Sequence, residues 1–203
     1  MDGQEYLDQI SATVRPVKQS RGILSSKFFW VGIIGVVLLI VMALLGSVLG
    51  GGGGGEKSLV IALKLHLDNT SEVIQEYQSN VKSSNLRSSS ASLYSILSNT
   101  NRDVTNYLTN KYKFKDKDIS KNVAEEAQLE RDGLEADLFE AKINGNLDRI
   151  YAHKMAYEVA LIMSEEAKIV NSTKSDDIKS ALTSSYNSLE NLYSNFDDFS
   201  ETK

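Results

Sequence analysis

The chain has 203 residues, a net charge of −5 and no cysteine, which leaves room for one ordinary domain plus an accessory segment. Without cysteine there are no disulfides, no thiol redox chemistry and no cysteine-ligated metal site. Asp2, Glu5, Asp8, Arg15, Lys18, Arg21 and Lys27 lie before the apolar segment, so residues 56–203 keep 18 of the 22 basic and 24 of the 27 acidic side chains, a net of −6. That balance disfavours nucleic acid, whose backbone is bound by clustered Lys and Arg.

Residues 1–27 form a polar tail with basic residues Arg15, Lys18, Arg21 and Lys27 and no acid after Asp8. Residues 28–49 then carry no charge at all. Twenty-two residues at about 1.5 Å each span roughly 33 Å, enough for the ~30 Å hydrocarbon core of a bilayer. In lipid only a helix satisfies its own backbone, so a transmembrane helix is expected, with the bilayer as its first partner. Lys27, Phe28, Phe29 and Trp30 form the expected membrane-interface anchor. The basic flank places the N-terminus in the cytoplasm and the domain that follows outside, at the cell membrane. A cleaved signal peptide fits less well, because the apolar run is long and ends in no clear small-x-small site. Gly46 and Gly50 are spaced for close helix pairing, which leaves room for a weak homo-oligomer. Residues 50–56 form a tether, Gly50 to Gly55 and Glu56, with a reach on the order of 12–20 Å.

The remainder, 57–203, reads as all-α: its apolar residues recur at three and four, and the only proline of the chain is Pro16. The spacing predicts a helix over about 57–84, with Leu59, Leu63, His66, Thr70, Val73, Tyr77 and Val81 on one seam. A second over 88–112 carries Leu93, Leu97, Thr100, Val104, Tyr107 and Leu108. A third over 119–144 turns Ile119, Val123, Ala127, Leu134, Leu138 and Ala141 inward and stops at Asn144-Gly145-Asn146, a left-handed cap signal. A fourth, 147–171, buries Leu147, Ile150 or Tyr151, Met155, Val159, Ile162 and Ile169. The fifth, 176–198, begins at Ser175-Asp176-Asp177 and carries Ile178, Leu182, Leu189, Leu192 and Phe196. Short connections make these an antiparallel up-and-down bundle of four or five helices behind the N-terminal transmembrane helix.

Chemistry-bearing patterns are sparse. The Glu-x-x-His of a di-iron bundle is missing, since Leu63 precedes His66 by three and Ile150 precedes His153 by three. His66 reads as a hydrogen-bonded core residue and His153 as a solvated one. Serines cluster at helix joints, where capping explains them. Glu125, Glu126, Glu130, Glu135 and Asp137 form an acidic run, with Arg131 or Arg149 the expected partner of Glu130. No catalytic, cofactor or metal residues are assigned, and the chain is not expected to be an enzyme. The stretch Tyr112, Lys113, Phe114 and Lys115 alternates aromatic and basic side chains and is the candidate interaction surface.

The layout of basic tail, single anchor and helical domain resembles uncharacterised single-pass membrane proteins of bacteria. Stretches like Phe139-Glu-Ala-Lys-Ile-Asn-Gly-Asn-Leu-Asp-Arg-Ile-Tyr-Ala-His-Lys154 carry that resemblance. It implies no activity. A looser likeness to ferritin-like bundles of the bacterial envelope lacks their metal motif. The expected function is an interaction or scaffold module of the cell envelope, partnered by another envelope protein. The alternative is a sensory or small-ligand-binding bundle that relies on a partner for output, since 27 residues inside the cell are too few for an output domain. A cavity lined by tyrosines and His66 or His153 favours the ligand reading, and a dry core with an exposed apolar patch favours protein contacts.

Overall fold

The structure is a computed structural model that describes residues 55–201. The expected tail, anchor and interface residues Lys27, Phe28, Phe29 and Trp30, with the glycines before Gly55, lie outside the described residues. Among the described residues no helix is long and apolar enough to cross a membrane.

The domain is all-α. Its helices are α1 (Glu56–Tyr77), α2 (Ser84–Tyr112), α3 (Lys121–Ile143), α4 (Leu147–Ser172) and α5 (Asp176–Glu201), with a 3-10 turn at Asp116–Asp118. Cross-helix contacts fix the packing. Gln75 on α1 bonds Tyr94 on α2, and Lys111 near the end of α2 reaches Glu56 at the start of α1, so the two run antiparallel. Glu56 also meets Thr173 just after α4, while Asp148 at the start of α4 meets the residues just beyond α1, so α1 and α4 are antiparallel too. α1, α2, α5 and α4 close into a ring, and α3 lies outside it over the groove between α1 and α4. α3 runs parallel to α1: Asn69 donates to the Ala127 carbonyl at 2.8 Å and Tyr77 to the Glu135 carbonyl at 3.1 Å.

Most of the core lies on apolar residues that the three-and-four spacing picks out, including Leu63, Leu93, Leu97, Val104, Leu108, Leu138, Met155, Val159, Ile162, Leu182, Leu189 and Phe196, whereas Leu59, Ile119, Val123 and Ala127, expected inward, are only partly buried. Tyr151 rather than Ile150 is the fully buried member of its pair. α4 is the central helix, with nine buried positions from Leu147 to Ile169. α3 has only three, Leu134, Leu138 and Ala141.

Three boundaries show how ends are set. α1 stops at Tyr77, seven residues before the end that its periodicity predicts. The cause is distant in sequence: the Asp148 carboxylate accepts the Lys82 and Ser83 amides, each at 2.8 Å, and the Arg87 guanidinium bonds the Val81 and Lys82 carbonyls. These contacts hold the segment extended, Ser83 caps α2, and α2 begins four residues earlier than expected. α2 ends on Lys113 at φ 52, whose amide bonds the Thr109 carbonyl while the Phe114 amide bonds the Leu108 carbonyl and the Phe114 ring is buried, a left-handed cap closed on a non-glycine residue. α3 ends in a Schellman cap on Gly145 at φ 73, with the Gly145 amide on the Lys142 carbonyl and the Asn146 amide on the Ala141 carbonyl, as the Asn-Gly-Asn signal predicts.

Candidate functional site

Three polar clusters and one apolar strip stand out. The first cluster is centred on His66 of α1, which faces α4. Its Nε2 is 2.8 Å from Glu158 Oε2 and its Nδ1 is 3.1 Å from Glu165 Oε2. Glu158 and Glu165 are two turns apart on one face of α4, so the ring is gripped from both sides. A carboxylate only accepts, so bonding both nitrogens requires both to carry hydrogen, and His66 is an imidazolium. Burial alone would push its pKa down. The Glu165 charge and the hydrogen bonds from Glu158 and Glu165 outweigh that and hold it well above the usual histidine range. Glu130 of α3 stands at the lip of this cluster. Burial pushes its carboxyl up, the His66 charge draws it down, and Glu126, Glu165 and Glu158 push it up again. The expected Glu130–Arg131 pair does not form; Arg131 turns to Glu72 and Glu135 instead.

The next residue along α4, Glu166, points into the ring of four helices and is fully buried. Burial lifts its pKa from 4.5 to about 8, with Ser185 offsetting part of the shift and Glu165 adding to it. Neither carboxyl oxygen closes a hydrogen bond. The Thr100 and Ser185 hydroxyls sit 2.7 Å apart on α2 and α5. Glu166 is therefore a neutral acid in the core at pH 7, and at zero exposure it is out of reach of any solute.

The third cluster lies at the start of α1. The Glu56 carboxylate receives the Thr173 hydroxyl at 2.9 Å, the Lys111 ammonium at 3.0 Å and the Tyr107 hydroxyl. Desolvation raises its pKa, but those three bonds and the Lys111 charge bring it below the usual range. Lys111 stands over the Tyr107 and Tyr112 rings, 5.0 and 5.3 Å from their centroids. This cluster clamps the first residue of α1 to the ends of α2 and α4. It also accounts for much of the proposed surface stretch: Phe114 is in the core, Tyr112 is half-buried in the clamp, and Lys113 and Lys115 are exposed.

The apolar strip is on α3. Leu129, Phe139 and Ile143 are 71%, 58% and 68% exposed, on the face turned away from the buried Leu134, Leu138 and Ala141. An open groove at the far end of the bundle is lined by Lys82, Lys142, Leu147, Asp148, Arg149 and Phe199, with neither a histidine nor a tyrosine. His153 is exposed on α4. Among the described residues no group of three or more His, Asp or Glu is arranged to hold a metal ion.

Two features escaped sequence reading. The bonds of His66 to Glu158 and Glu165 join residues 92 and 99 apart, and no local pattern encodes them. The outward strip was legible in principle, because Leu129 and Ile143 lie two heptads apart on the face opposite the inward stripe. Comparison with protein-family models, with curated proteins and with solved structures gave no match to this chain.

Proposed function

We propose that the chain is a membrane-tethered interaction module of the cell envelope, with residues 28–49 as its transmembrane helix, the N-terminal tail in the cytoplasm and the antiparallel bundle outside. The observation that carries the interaction reading is the outward strip of α3, where three large apolar side chains stand in solvent on one helix. The cluster at the start of α1 supports it: Glu56, Tyr107, Lys111 and Thr173 fix the domain's first helical residue, which follows the glycine run directly in sequence. The polar clusters suit a scaffold better than a catalyst. His66 is spent on two carboxylates, Glu166 is sealed in the core, and neither faces a nucleophile or a cleft. No enzymatic role and no cofactor is assigned.

The chain's lack of cysteine makes the topology directly testable. Single Ser11→Cys and Ser188→Cys variants are treated in intact cells with a membrane-impermeant maleimide, after membranes have been shown to retain the protein through alkaline extraction. Labelling at position 188 alone is expected, with position 11 reacting only after permeabilisation. Alkaline release, or labelling at 11 in intact cells, would overturn the tether and its direction.

A further inference from the structure

α3 has two apolar faces, and the bundle uses one. At 3.6 residues per turn, Leu129, Ala136 and Ile143 stand above one another, with Phe139 three residues after Ala136. All four are exposed, and three of the four large apolar side chains left exposed among the described residues are on this helix. A surface helix with a solvent-facing side needs a single apolar stripe. Leu129, Ala136 and Ile143 take one seam position of a coiled-coil repeat and Phe139 the other, over two heptads or roughly 21 Å of helix, with Asp132 at the remaining seam position.

The charges beside the seam choose the occupant. α3 carries Glu125, Glu126, Glu130, Asp132, Glu135, Asp137 and Glu140 against Lys121, Arg131 and Lys142. Arg131 is turned inward to Glu72 and Glu135, and Lys121 is engaged by Glu125 at 3.4 Å. With Glu125 taken by Lys121, Glu140 at the rim and Asp132 set into the strip between Leu129 and Phe139 leave this face negative. An anionic lipid surface is repelled by such a rim. A second copy, packed antiparallel about Ala136, would bring Asp132 of one chain beside Glu140 of the other, the like-charge arrangement that specifies against self-pairing. A helix with an apolar seam and basic flanks meets both requirements.

We propose that the outward strip of α3, Leu129, Ala136, Phe139 and Ile143, docks an amphipathic helix of a partner protein whose apolar seam is flanked by Lys or Arg. This rests on the interaction-module reading and names the partner's chemistry. The probe is a pair of fluorescent synthetic helices of about three heptads, with Leu at both seam positions and either Lys or Glu at the flanks. Each is titrated with the full chain in phosphatidylcholine nanodiscs, empty nanodiscs serving as the blank. The Lys peptide is expected to bind roughly tenfold or more tightly than the Glu peptide, and to weaken as salt rises. A Leu129→Ser, Phe139→Ser, Ile143→Ser chain should lose that binding while keeping its helical content and melting transition. Equal binding of the two peptides, no binding, or binding unchanged in the triple variant would overturn the proposal. So would a concentration-dependent dimer of the full chain that the triple variant abolishes, which would assign the strip to a second copy. Because the tether and its direction are read separately, by extraction and cysteine labelling, a failed titration leaves that reading standing.

Discussion

At the residue scale the most instructive positions break a local preference. Lys113 ends α2 in the left-handed region, which costs a non-glycine residue roughly 1–2 kcal/mol, yet the buried Phe114 and its bond to Leu108 hold it there. Lys113→Gly is expected to raise stability by about 1 kcal/mol, read as a higher melting temperature. Gly145→Ala, at φ 73 with open space around it, should cost a similar amount through backbone strain alone. His66 and Glu166 make a second kind of exception, because both hold a proton that the unfolded chain gives up. For Glu166 the folded pKa of about 8 stands above the ordinary 4.5, so the folded state binds more protons between those values and stability falls as pH rises through them. His66 acts in the same direction from about pH 6.5 upward, its stabilisation being full below that value and lost as pH climbs through its raised pKa. Glu56, held below its usual range, opposes them only under acid conditions, losing its contribution as pH drops below about 4.5. Denaturant titrations should therefore place maximal stability near pH 5 and show a decline to pH 9. Glu166→Met should flatten that decline and add about 1–3 kcal/mol at pH 8, because it removes a buried group with no hydrogen bond. An unchanged pH slope in this variant would contradict the neutral-acid assignment.

At the element scale the all-α class was written in the spacing of apolar residues, while the helix count stayed open between four and five and the ends were not legible. Leu134, Leu138 and Ala141 face inward as their period requires, and Asn144-Gly145-Asn146 stops α3 where its cap chemistry says. The early end of α1 depends on Asp148, 65 and 66 residues away from the amides it receives, so only tertiary structure could reveal it. The aromatic-basic alternation at Tyr112–Lys115 looked like a surface, but Phe114 had to be buried once Lys113 turned left-handed and folded the chain back on α2. α3 offers the sharpest contrast within one element. Leu138→Ala should cost about 2–4 kcal/mol, since the residue is fully buried, whereas Leu129→Ala should stay within about 0.5 kcal/mol. Paired urea melts measure both; comparable losses would mean that the outer face is packed rather than open.

At the scale of the whole molecule, the parts fit one device. Four helices close a ring, α3 lies over one groove of it, and the Glu56 cluster ties the start of α1 to the ends of α2 and α4. The His66 grip on Glu158 and Glu165 ties α1 to α4, the two helices over whose groove α3 lies. An outward apolar face on α3 is what the proposed interaction role requires. The most direct measurement places a photocrosslinking residue at Ala136 in the middle of the strip, and another at the exposed Asn187 on α5, in the full chain in intact cells. Discrete adducts from position 136, absent from position 187 and lost when Leu129, Phe139 and Ile143 are serine, are the predicted result. No adduct at 136, or the same adducts from both positions, would contradict the claim that this face of α3 is where the protein meets its partner.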